Sequence, residues 1–264
     1  DKRFVIDQEI GRGASAFVFL VTDRISGARS ALKLLRPELS HAISDARFVR
    51  EMAIGKELRH PNILPIIECG SVEGRPYFTM PYISGESLRE RLARQRQLPL
   101  HAALGIARQV AAALDYAHEK GVVHRDIKPG NLLLTGDQLL VADFGIARAM
   151  IIAPGEELTE SGFSVGTPEY MSPEQISAER ALDGRTDLYA LGCVLYEMLA
   201  GAAPFTGPTA QATMARHHTG VAPSLALLHP EMSPSIDAAI QRALAKAPED
   251  RYQTGHAFMT ALDR

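Results

Sequence analysis

Residues 124–131 read HRDIKPGN and stand between the apolar pair Val122–Val123 and the leucines at 132–134. Short apolar runs on both sides of a polar stretch are typical of buried strands that flank a loop. The sequence therefore predicts a loop at 124–131 with one short strand before it and another after it. Because the loop combines a carboxylate, an amide and two cationic side chains, it is the first candidate for a reactive site.

The polar residues of this loop suit the handling of a phosphoryl group. Asp126 can accept the proton of a hydroxyl nucleophile, and Asn131 can offer its carbonyl oxygen to Mg²⁺. Lys128 can neutralise charge on a phosphoryl group during transfer. Further along the chain, Asp143 begins the sequence Asp-Phe-Gly and supplies a second carboxylate for a hard cation. The pattern predicts phosphoryl transfer assisted by a divalent metal ion.

The octapeptide and the later Asp143-Phe144-Gly145 together resemble the catalytic loop and the metal-binding motif of protein kinases. Over essentially its whole length the chain resembles the bacterial receptor-type (Hanks-type, eukaryotic-like) Ser/Thr protein kinases. The resemblance implies an α+β, two-lobe fold. A small antiparallel β-sheet lobe with one key helix would occupy residues 1–82, and a large, mainly helical lobe residues 83–264. ATP would bind between the lobes with Mg²⁺, or with Mn²⁺ in its place.

A glycine-rich turn, Gly11-Arg12-Gly13, stands near the start of the chain. A dinucleotide-binding turn would open a helix, and a P-loop would continue with Gly-Lys-Ser or Gly-Lys-Thr. Here the β-branched and aromatic residues 17–22 follow, and they predict a strand. Strand, glycine turn and strand resemble the kinase flap over the ATP phosphates. Ala16 stands where the family has a third glycine, so Gly11 and Gly13 are the predicted phosphate contacts.

Lys33 interrupts the apolar stretch 31–35, which predicts a short strand with one cation on its buried side. A charge among apolar neighbours is costly unless it is paired. The candidate partner is Glu51, on the inward edge of a helix predicted at 45–58. The resemblance implies that this pair grips the α- and β-phosphates of ATP. Gly55 weakens the predicted helix by ~1 kcal/mol relative to alanine, which a helix that moves can tolerate.

The stretch 77–83 resembles the last strand of the small lobe followed by the hinge. By this resemblance Met80 would be the gatekeeper beside the adenine. Pro81 has no N–H, but the family makes its first adenine contact through the carbonyl group of that residue and its second through the N–H of Ile83. Proline is therefore compatible with adenine binding here. The other residues that the resemblance implies at the nucleotide are Val18, Ala31 and Leu133.

Past the hinge the apolar pattern is helical. It predicts a long helix at 100–120 that Gly121 ends, and a helix at 187–201 that is apolar nearly all round and so belongs inside a core. Further helices are expected at about 209–217, 235–246 and 254–263.

Residues 166–174 resemble the substrate-docking loop and Ala-Pro-Glu motif of the kinase family, with Ser172 in place of the alanine. The resemblance implies an ion pair between the glutamate of this motif and an arginine near the end of the chain. It also implies that an aspartate at the start of the central helix anchors the catalytic-loop backbone. The residues with these docking and structural roles are Thr167, Glu174, Asp187 and Arg251.

The polar stretch 150–165 contains Pro154-Gly155-Glu156-Glu157 and predicts neither helix nor strand. The family resemblance places phosphorylation sites at Thr159 and Ser161, with Ser164 as a secondary candidate. It also brings three arginines to one place, where a dianionic phosphate would relieve their mutual repulsion. We therefore predict autophosphorylation that orders this stretch, and self-association would let one copy modify another. The three arginines are Arg47, Arg125 and Arg148.

The composition is ordinary for a globular protein, with 46% hydrophobic and 22% charged residues. A net charge of −3 argues against nucleic acid as the main partner. Cys69 and Cys193 fit no metal or redox spacing and predict free thiols in a reducing cytosol. No run approaches the ~20 apolar residues of a membrane span, so no membrane contact is expected within this chain. Because the chain does not begin with methionine, it could also be the cytoplasmic domain of a longer, membrane-anchored protein.

The expected activity is transfer of the γ-phosphoryl group of MgATP to Ser or Thr hydroxyls of protein substrates, because a lysine two residues after the catalytic aspartate resembles Ser/Thr rather than Tyr kinases. Two alternatives remain. A pseudokinase that serves as an ATP-binding scaffold usually lacks the equivalent of Lys33, Asp126 or Asp143, and all three are present. A small-molecule phosphotransferase would not need the docking residues 166–174. The pair His217–His218 is interpreted as solvated.

Overall fold

The computed structural model describes residues 3–13, 16–37, 45–144, 167–179, 181–228 and 232–263, without the side chains of 45–47 and 49–51. Contacts divide this part of the chain into two compact units. The first unit holds the residues up to Ser84 together with Ala142–Phe144, and the second holds Gly85–Val141 and the residues from Thr167 onward. The change of unit after Ser84 lies close to the lobe boundary that the sequence predicts after residue 82.

The first unit is an antiparallel sheet with strand order β1-β2-β3-β5-β4, accompanied by helix α1. Strands β2 and β3 confirm the predictions for 17–22 and 31–35. Before β4, which begins at Glu68, the N–H of Ile63 bonds to the carbonyl group of His60 at 3.1 Å and closes a turn. The bounds are β1 Phe4–Arg12, β2 Ala16–Asp23, β3 Arg29–Leu35, α1 Asp45–Glu57, β4 Glu68–Val72 and β5 Arg75–Pro81.

The hairpin between β4 and β5 illustrates how the turns set the register of this sheet. Val72 pairs with Arg75, so Glu73 and Gly74 form a two-residue loop. Both have positive φ, 51° and 72°. Two central residues in the left-handed region match the twist of the flanking strands, which fixes the pairing of β4 with β5.

Helix α1 turns Phe48 and Met52 inward, with exposures of 1% and 0%. A Cβ on Gly55 would lie 2.9 Å from Cδ1 of Ile66 and 3.2 Å from the carbonyl oxygen of Phe144. Glycine is therefore required at this position by the close approach of neighbouring residues. The structure gives this packing reason for Gly55, whereas the sequence suggested only a helix that tolerates weakening.

The second unit is mainly helical and carries a three-stranded sheet of order β6-β7-β8. The long helix predicted at 100–120 is confirmed as Leu100–Glu119, and the central helix is confirmed as Gly184–Ala200, buried without interruption from Thr186 to Leu199. None of the helices in the described residues is long and apolar enough to cross a membrane. The bounds are β6 Glu86–Ser87, α2 Leu88–Gln95, α3 Leu100–Glu119, β7 Leu132–Thr135, β8 Gln138–Val141, α4 Pro173–Ile176, α5 Gly184–Ala200, α6 Ala210–Thr219, α7 Leu225–Leu228, α8 Pro234–Ala243 and α9 Gly255–Leu262.

The strand predicted at Val122–Val123 is wrong, while the strand predicted at 132–134 is present as β7. Gly121 turns the chain with a φ of +72°, and the N–H of Val122 bonds back to the carbonyl group of Ala117 at 2.9 Å. The backbone N–H groups of His124 and Arg125 bond to the buried carboxylate of Asp187 at 2.8 Å and 2.7 Å. These donors are therefore not available to a neighbouring strand, and β7 pairs with β6 and β8.

The interpretation of His217–His218 as a solvated pair is wrong for one of its members. His217 has no exposed surface, whereas His218 is exposed. Helix α6 turns His217 toward α5 and Phe205, and a bond between its Nδ1 and the hydroxyl group of Tyr189 at 2.8 Å satisfies one ring nitrogen. Sequence neighbours on a helix point in different directions, so adjacency gave no information about their burial.

Candidate active site

The backbone of the predicted catalytic loop is held by Asp187 at the start of α5. Its carboxylate is fully buried and accepts hydrogen bonds from the N–H of His124 at 2.8 Å and of Arg125 at 2.7 Å. Nε2 of His118 lies 2.8 Å from the same carboxylate. Arg125 has a φ of +68°, a conformation that is unfavourable for a residue with a side chain. The Asp187 carboxylate stabilises this conformation and thereby fixes the direction in which the loop continues.

Asp126, Lys128 and Asn131 come together within the second unit. Nζ of Lys128 lies 2.7 Å and 2.9 Å from the two carboxylate oxygens of Asp126. The one-turn 3₁₀ helix Pro129–Asn131 then brings Asn131 back, and its Nδ2 donates to the backbone oxygen of Asp126 at 2.8 Å and to Oδ2 at 3.0 Å. Asp126 and Lys128 keep 29% and 25% of their side chains exposed, so the carboxylate is accessible from solvent.

The docking segment, residues 166–174 and described from Thr167 onward, begins with the 3₁₀ helix Pro168–Tyr170. Tyr170 is buried and its hydroxyl group donates to Oε2 of Glu197 at 2.5 Å. Arg89 hydrogen-bonds the same hydroxyl group and donates to Oε1 of Glu197 at 2.9 Å. Burial, followed by the nearby charge of Glu197, raises the pKa of Tyr170, so its hydroxyl group remains a donor. This network ties the docking segment to α2 and α5.

Glu174 and Arg251, predicted as an ion pair, form a buried bidentate pair with oxygen–nitrogen distances of 2.7 Å and 2.8 Å. Arg251 also donates to the backbone oxygens of Ala245 and Lys246, each at 2.8 Å. Burial opposes ionisation of Glu174, but the hydrogen bonds and charge of Arg251 outweigh it and lower the pKa of Glu174. The docking segment is therefore attached to the last part of the chain through two buried charges.

A further link joins the docking segment to the catalytic loop. Nε2 of Gln175 donates to the backbone oxygen of Arg125 at 2.8 Å. Sequence reasoning missed this residue, and it missed His118, Arg89, Tyr170 and Glu197. Their partners are far apart in sequence, so local patterns carry no signal for them. For Gln175 the one accessible signal was its position next to Glu174.

In the first unit, two rows across the sheet contain several of the predicted nucleotide-binding residues. Gly11 pairs with Val18, Val18 pairs with Lys33, and Ala31 pairs with Met80 on the neighbouring strand. Lys33 forms an ion pair with Asp143, and each of these side chains keeps 14% of its surface exposed. Pro81 ends β5, and Ile83 follows it as a partly exposed residue. In the second unit Leu133 lies on β7 and is partly exposed.

The two glycines of the predicted flap are not required by the protein's own packing. A Cβ on Gly11 would make an ordinary contact with Val18 at 3.5 Å, and one on Gly13 would lie 3.7 Å from the backbone oxygen of Ala16. Neither glycine has a positive φ. The absence of a side chain at these positions leaves the backbone open to close approach by a ligand such as a phosphate group.

Several predicted site residues fall outside the described part of the chain. Gly145 of the Asp-Phe-Gly motif, Arg148, Thr159, Ser161 and Ser164 belong to this group, as do the side chains of Arg47 and Glu51. The predicted pair between Lys33 and Glu51 and the predicted phosphate pocket therefore stay predictions. Of that pocket, Arg125 is described, with its N–H on Asp187 and its carbonyl group on Gln175.

Residues 4–261 match the sequence model of the protein kinase domain family. The chain is 38% identical over 271 residues to the probable serine/threonine-protein kinase PknB of Bifidobacterium longum, covering 98% of this chain and 39% of that protein. It is 39% identical over 264 residues to the serine/threonine-protein kinase PknE of Mycobacterium tuberculosis, covering 97% of this chain and 46% of the relative.

Among solved structures, the chain resembles a crystal structure of Rad53 1–466 in complex with AMP-PNP. The TM-score is 0.80 at 26% sequence identity, over 99% of this chain and 66% of that one. The chain spans less than half the length of the curated relatives. The family match nevertheless covers nearly all of its residues, and the fold of each unit agrees with it. The chain therefore belongs to the protein kinase domain family.

Proposed function

We propose that this chain is a Ser/Thr protein kinase domain that transfers the γ-phosphoryl group of ATP to hydroxyl groups of protein substrates. The observation that carries the proposal is the arrangement of Asp126, Lys128 and Asn131 on a loop whose backbone is fixed by the buried Asp187. A carboxylate, an ammonium group and an amide at hydrogen-bond distance supply the base, the compensating charge and an oxygen ligand that phosphoryl transfer needs.

In this proposal Asp126 orients the substrate hydroxyl and receives its proton. A bond forms between the hydroxyl oxygen and the γ-phosphorus, while the bond from that phosphorus to the β,γ-bridging oxygen breaks and leaves ADP. Lys128 neutralises negative charge on the moving group. Lys128 lies 2.7 Å from Asp126, so its positive charge is next to the carboxylate that is proposed to accept the proton.

The donor groups present suit Mg²⁺, and Mn²⁺ is a possible substitute. Asp143 is proposed as a carboxylate ligand, and Asn131 as a ligand through its amide oxygen. When bound, the metal ion would neutralise phosphate charge. Lys33 is proposed to contact the α- and β-phosphates with Glu51 as its positioning partner. Lys33 and Asp143 form an ion pair in the first unit, so the proposed phosphate contact and the proposed metal ligand are neighbours there.

A protein substrate, in preference to a small molecule, is supported by the attachments of the docking segment. Gln175 bonds to the catalytic-loop backbone, and Tyr170 is tied to Arg89 and Glu197. A segment attached at both places would hold a peptide in a fixed relation to Asp126. A pseudokinase scaffold would have no use for the Asp126–Lys128 arrangement, so the catalytic interpretation is favoured.

We further infer that the kinase is controlled by autophosphorylation at Thr159 or Ser161, with Ser164 as a secondary site. The sequence places these hydroxyls between Asp143 and the docking segment, where a phosphate could be bound by Arg47, Arg125 and Arg148. Self-association would allow one copy to phosphorylate another. The relatives' greater length is compatible with a cytoplasmic domain of a longer, membrane-anchored protein, and the cytoplasm supplies the ATP that the reaction needs.

The proposal is tested by incubating the chain with γ-labelled ATP, MgCl₂ and a randomised peptide library that contains Ser, Thr or Tyr at the acceptor position. We expect label on Ser and Thr peptides and on the protein itself. Asp126→Asn should remove this activity while it leaves the fold and ATP binding intact. Asp137→Asn makes the same change at an exposed turn between β7 and β8 and is the matched control. Wild-type turnover in Asp126→Asn would exclude the assigned base.

A further inference from the structure

His217 lies on α6, where this helix packs against the start of the docking segment. Its imidazole ring has no exposed surface. The ring centroid lies 4.9 Å from that of Phe205 and 5.7 Å from that of Tyr189. A histidine enclosed by aromatic rings next to a segment proposed to contact substrate is not explained by the reaction chemistry, since it touches neither Asp126 nor Lys128 in the described structure.

The surroundings of the ring determine where its proton lies. Nδ1 is 2.8 Å from the hydroxyl oxygen of Tyr189, and burial raises the pKa of Tyr189, so that hydroxyl group keeps its proton. Burial lowers the pKa of His217 to about 4, whereas the backbone groups of Pro168 and Glu169 raise it. Helix α6 packs against the 3₁₀ helix Pro168–Tyr170, and Tyr189 occupies the Nδ1 side of the ring. The backbone of Pro168 and Glu169, which acts on the ring as a hydrogen-bond acceptor, therefore lies on the Nε2 side.

A neutral imidazole has one donor nitrogen and one acceptor nitrogen. If Nδ1 carried the proton, the lone pair of Nε2 would face the carbonyl oxygens of the docking segment, which is repulsive. If Nε2 carries it, Tyr189 donates to Nδ1 and an N–H group points at the segment. The second tautomer satisfies both sides of the ring. Tyr189 therefore fixes His217 with its donor directed at residues 168–169.

Within the described residues, Nε2 of His217 is buried and makes no hydrogen bond. A buried donor without an acceptor is costly, and such a group in a native structure needs an explanation. A small displacement of the 168–169 backbone toward the ring would complete the bond. Any ligand that holds the docking segment in that displaced position gains the free energy of the completed bond.

We propose that His217 is a positioning residue for substrate: its Nε2–H donates to a backbone oxygen of Pro168 or Glu169 when a peptide occupies the docking segment. The inference rests on the proposed kinase function and adds a determinant of peptide affinity to it. The ring lies on the helix that packs against the docking segment, and no contact with the reacting groups is described. It should therefore affect peptide binding and leave both the chemical step and ATP binding unchanged.

Two amide substitutions separate the two ring nitrogens. The amide of His217→Asn lies near the position of Nδ1, so it can accept from Tyr189 but cannot reach the docking segment. The amide nitrogen of His217→Gln lies near the position of Nε2 and keeps a donor toward residues 168–169. His218→Asn makes the first change at the neighbouring exposed histidine and is the matched control. His217→Leu, which fills the space without a donor, replaces His217→Asn if the latter does not fold.

The measurements are kcat and KM for the best peptide selected by the wild type, KM for ATP, and the Kd of the same peptide with alanine at the acceptor position. We expect His217→Asn or His217→Leu to raise the peptide KM and Kd roughly five- to tenfold, the effect of one hydrogen bond, with kcat and the ATP KM unchanged. His217→Gln should restore wild-type values.

Equal peptide KM values for His217→Asn, or its Leu replacement, and His218→Asn would overturn the proposal. So would a His217→Gln variant as impaired as His217→Asn, because the Tyr189 contact or simple packing would then explain the effect. These outcomes differ from a failure of the proposed function. A wild-type chain that phosphorylates no peptide and loses nothing in Asp126→Asn would remove the kinase assignment, and this inference with it.

Discussion

Two ion pairs of the second unit, Arg251–Glu174 and Lys128–Asp126, have the same shortest distance of 2.7 Å but opposite surroundings. The side chains of Arg251 and Glu174 are 0% and 5% exposed, whereas those of Lys128 and Asp126 are 25% and 29% exposed. In a buried pair the loss of one partner leaves a charge that water cannot reach, but in an accessible pair water or a ligand takes the vacant place.

The difference separates groups that stabilise the fold from groups that can react. Arg251 distributes its donors over Glu174 and three backbone oxygens, so an exchange of partner would break several bonds. Among the described interactions the ammonium group of Lys128 contacts Asp126 alone, and both side chains remain accessible to a ligand. The docking segment is therefore expected to depend on buried contacts for its position, while the catalytic loop keeps its polar groups accessible.

The largest effect on stability is expected for Glu174→Ala. It removes the carboxylate that accepts two bonds from Arg251 and one from Thr186 at 2.7 Å, and leaves the arginine charged and buried. We expect the free energy of unfolding to fall by roughly 3–5 kcal/mol, as measured by urea denaturation at pH 7.

Two controls sharpen that measurement. Glu179→Ala makes the same change at an exposed position of the same region and should have almost no effect. The double variant Glu174→Leu with Arg251→Met removes both charges and should be more stable than Glu174→Ala, because no unpaired charge is left. A Glu174→Ala variant as stable as Glu179→Ala would show that water reaches Arg251. The Arg251–Glu174 pair would then not differ from the Lys128–Asp126 pair in its access to solvent.

A second test uses pH and the buried His217. Burial, assisted by the charge of Lys246, lowers the pKa of His217 from 6.5 to about 4. The unfolded chain therefore takes up a proton at higher pH than the folded protein does. The contribution of the neutral ring is complete above pH 6.5 and is lost as pH falls toward 4, by at most about 3 kcal/mol.

The measurement is urea denaturation of the wild type and of His217→Gln between pH 7 and pH 4.5. We expect the wild type to lose more stability than the variant across this range. Glu174, whose pKa is lowered from 4.5, loses its contribution only below the same range and does not interfere. If the free energy of unfolding falls equally with pH in the two proteins, then water reaches His217, and the side chain is accessible like those of Lys128 and Asp126.

A third test concerns the support of Asp187. A Cβ on Gly184 would lie 2.4 Å from Nδ1 of His118, and Nε2 of that ring is bonded to Asp187. Gly184→Ala should displace the imidazole and destabilise the protein by roughly 1–3 kcal/mol, with reduced kinase activity. Gly105→Ala is the matched control in the interior of α3, where a Cβ meets nothing within 4 Å, and it should stabilise by about 0.5–1 kcal/mol. Equal melting temperatures for the two variants would contradict the packing argument.

The sequence correctly predicted those structural features that depend on the spacing of residues close together in the chain. The octapeptide at 124–131, the glycine turn before β2 and the apolar surface of α5 each encode a local requirement, and the structure contains the corresponding loop, hairpin and buried helix. The pairing of Glu174 with Arg251 also followed from the family resemblance, and it is present. Local pattern and resemblance were therefore sufficient for the fold, for the loop that brings Asp126, Lys128 and Asn131 together, and for the Glu174–Arg251 pair.

The residues that sequence reasoning missed depend on distant partners. Arg89 meets Tyr170 and Glu197 across separations of 81 and 108 residues, and no periodic pattern reports such a contact. The same limitation explains why the strand predicted at Val122–Val123 is wrong. The backbone N–H groups of the next residues, His124 and Arg125, bond to the distant Asp187. The limitation also explains His217, whose burial depends on residues of α5 and on Phe205. Tertiary contacts override local preference at these positions.

The smallest effect on stability is expected for Lys128→Met. This substitution tests the comparison of the two ion pairs most directly, because it should affect activity and leave stability nearly unchanged. The ammonium group is partly exposed and its partner Asp126 can be solvated in its absence, so the free energy of unfolding should change by no more than ~1 kcal/mol. The same substitution removes the positive charge proposed to stabilise the transferring phosphoryl group and should lower kcat by roughly a hundredfold. Lys120→Met, at the exposed end of α3, is the control for loss of a lysine and should change neither quantity. A Lys128→Met variant as unstable as Glu174→Ala would show that the Lys128–Asp126 pair is structural, because only a desolvated partner makes the loss of a charge so costly.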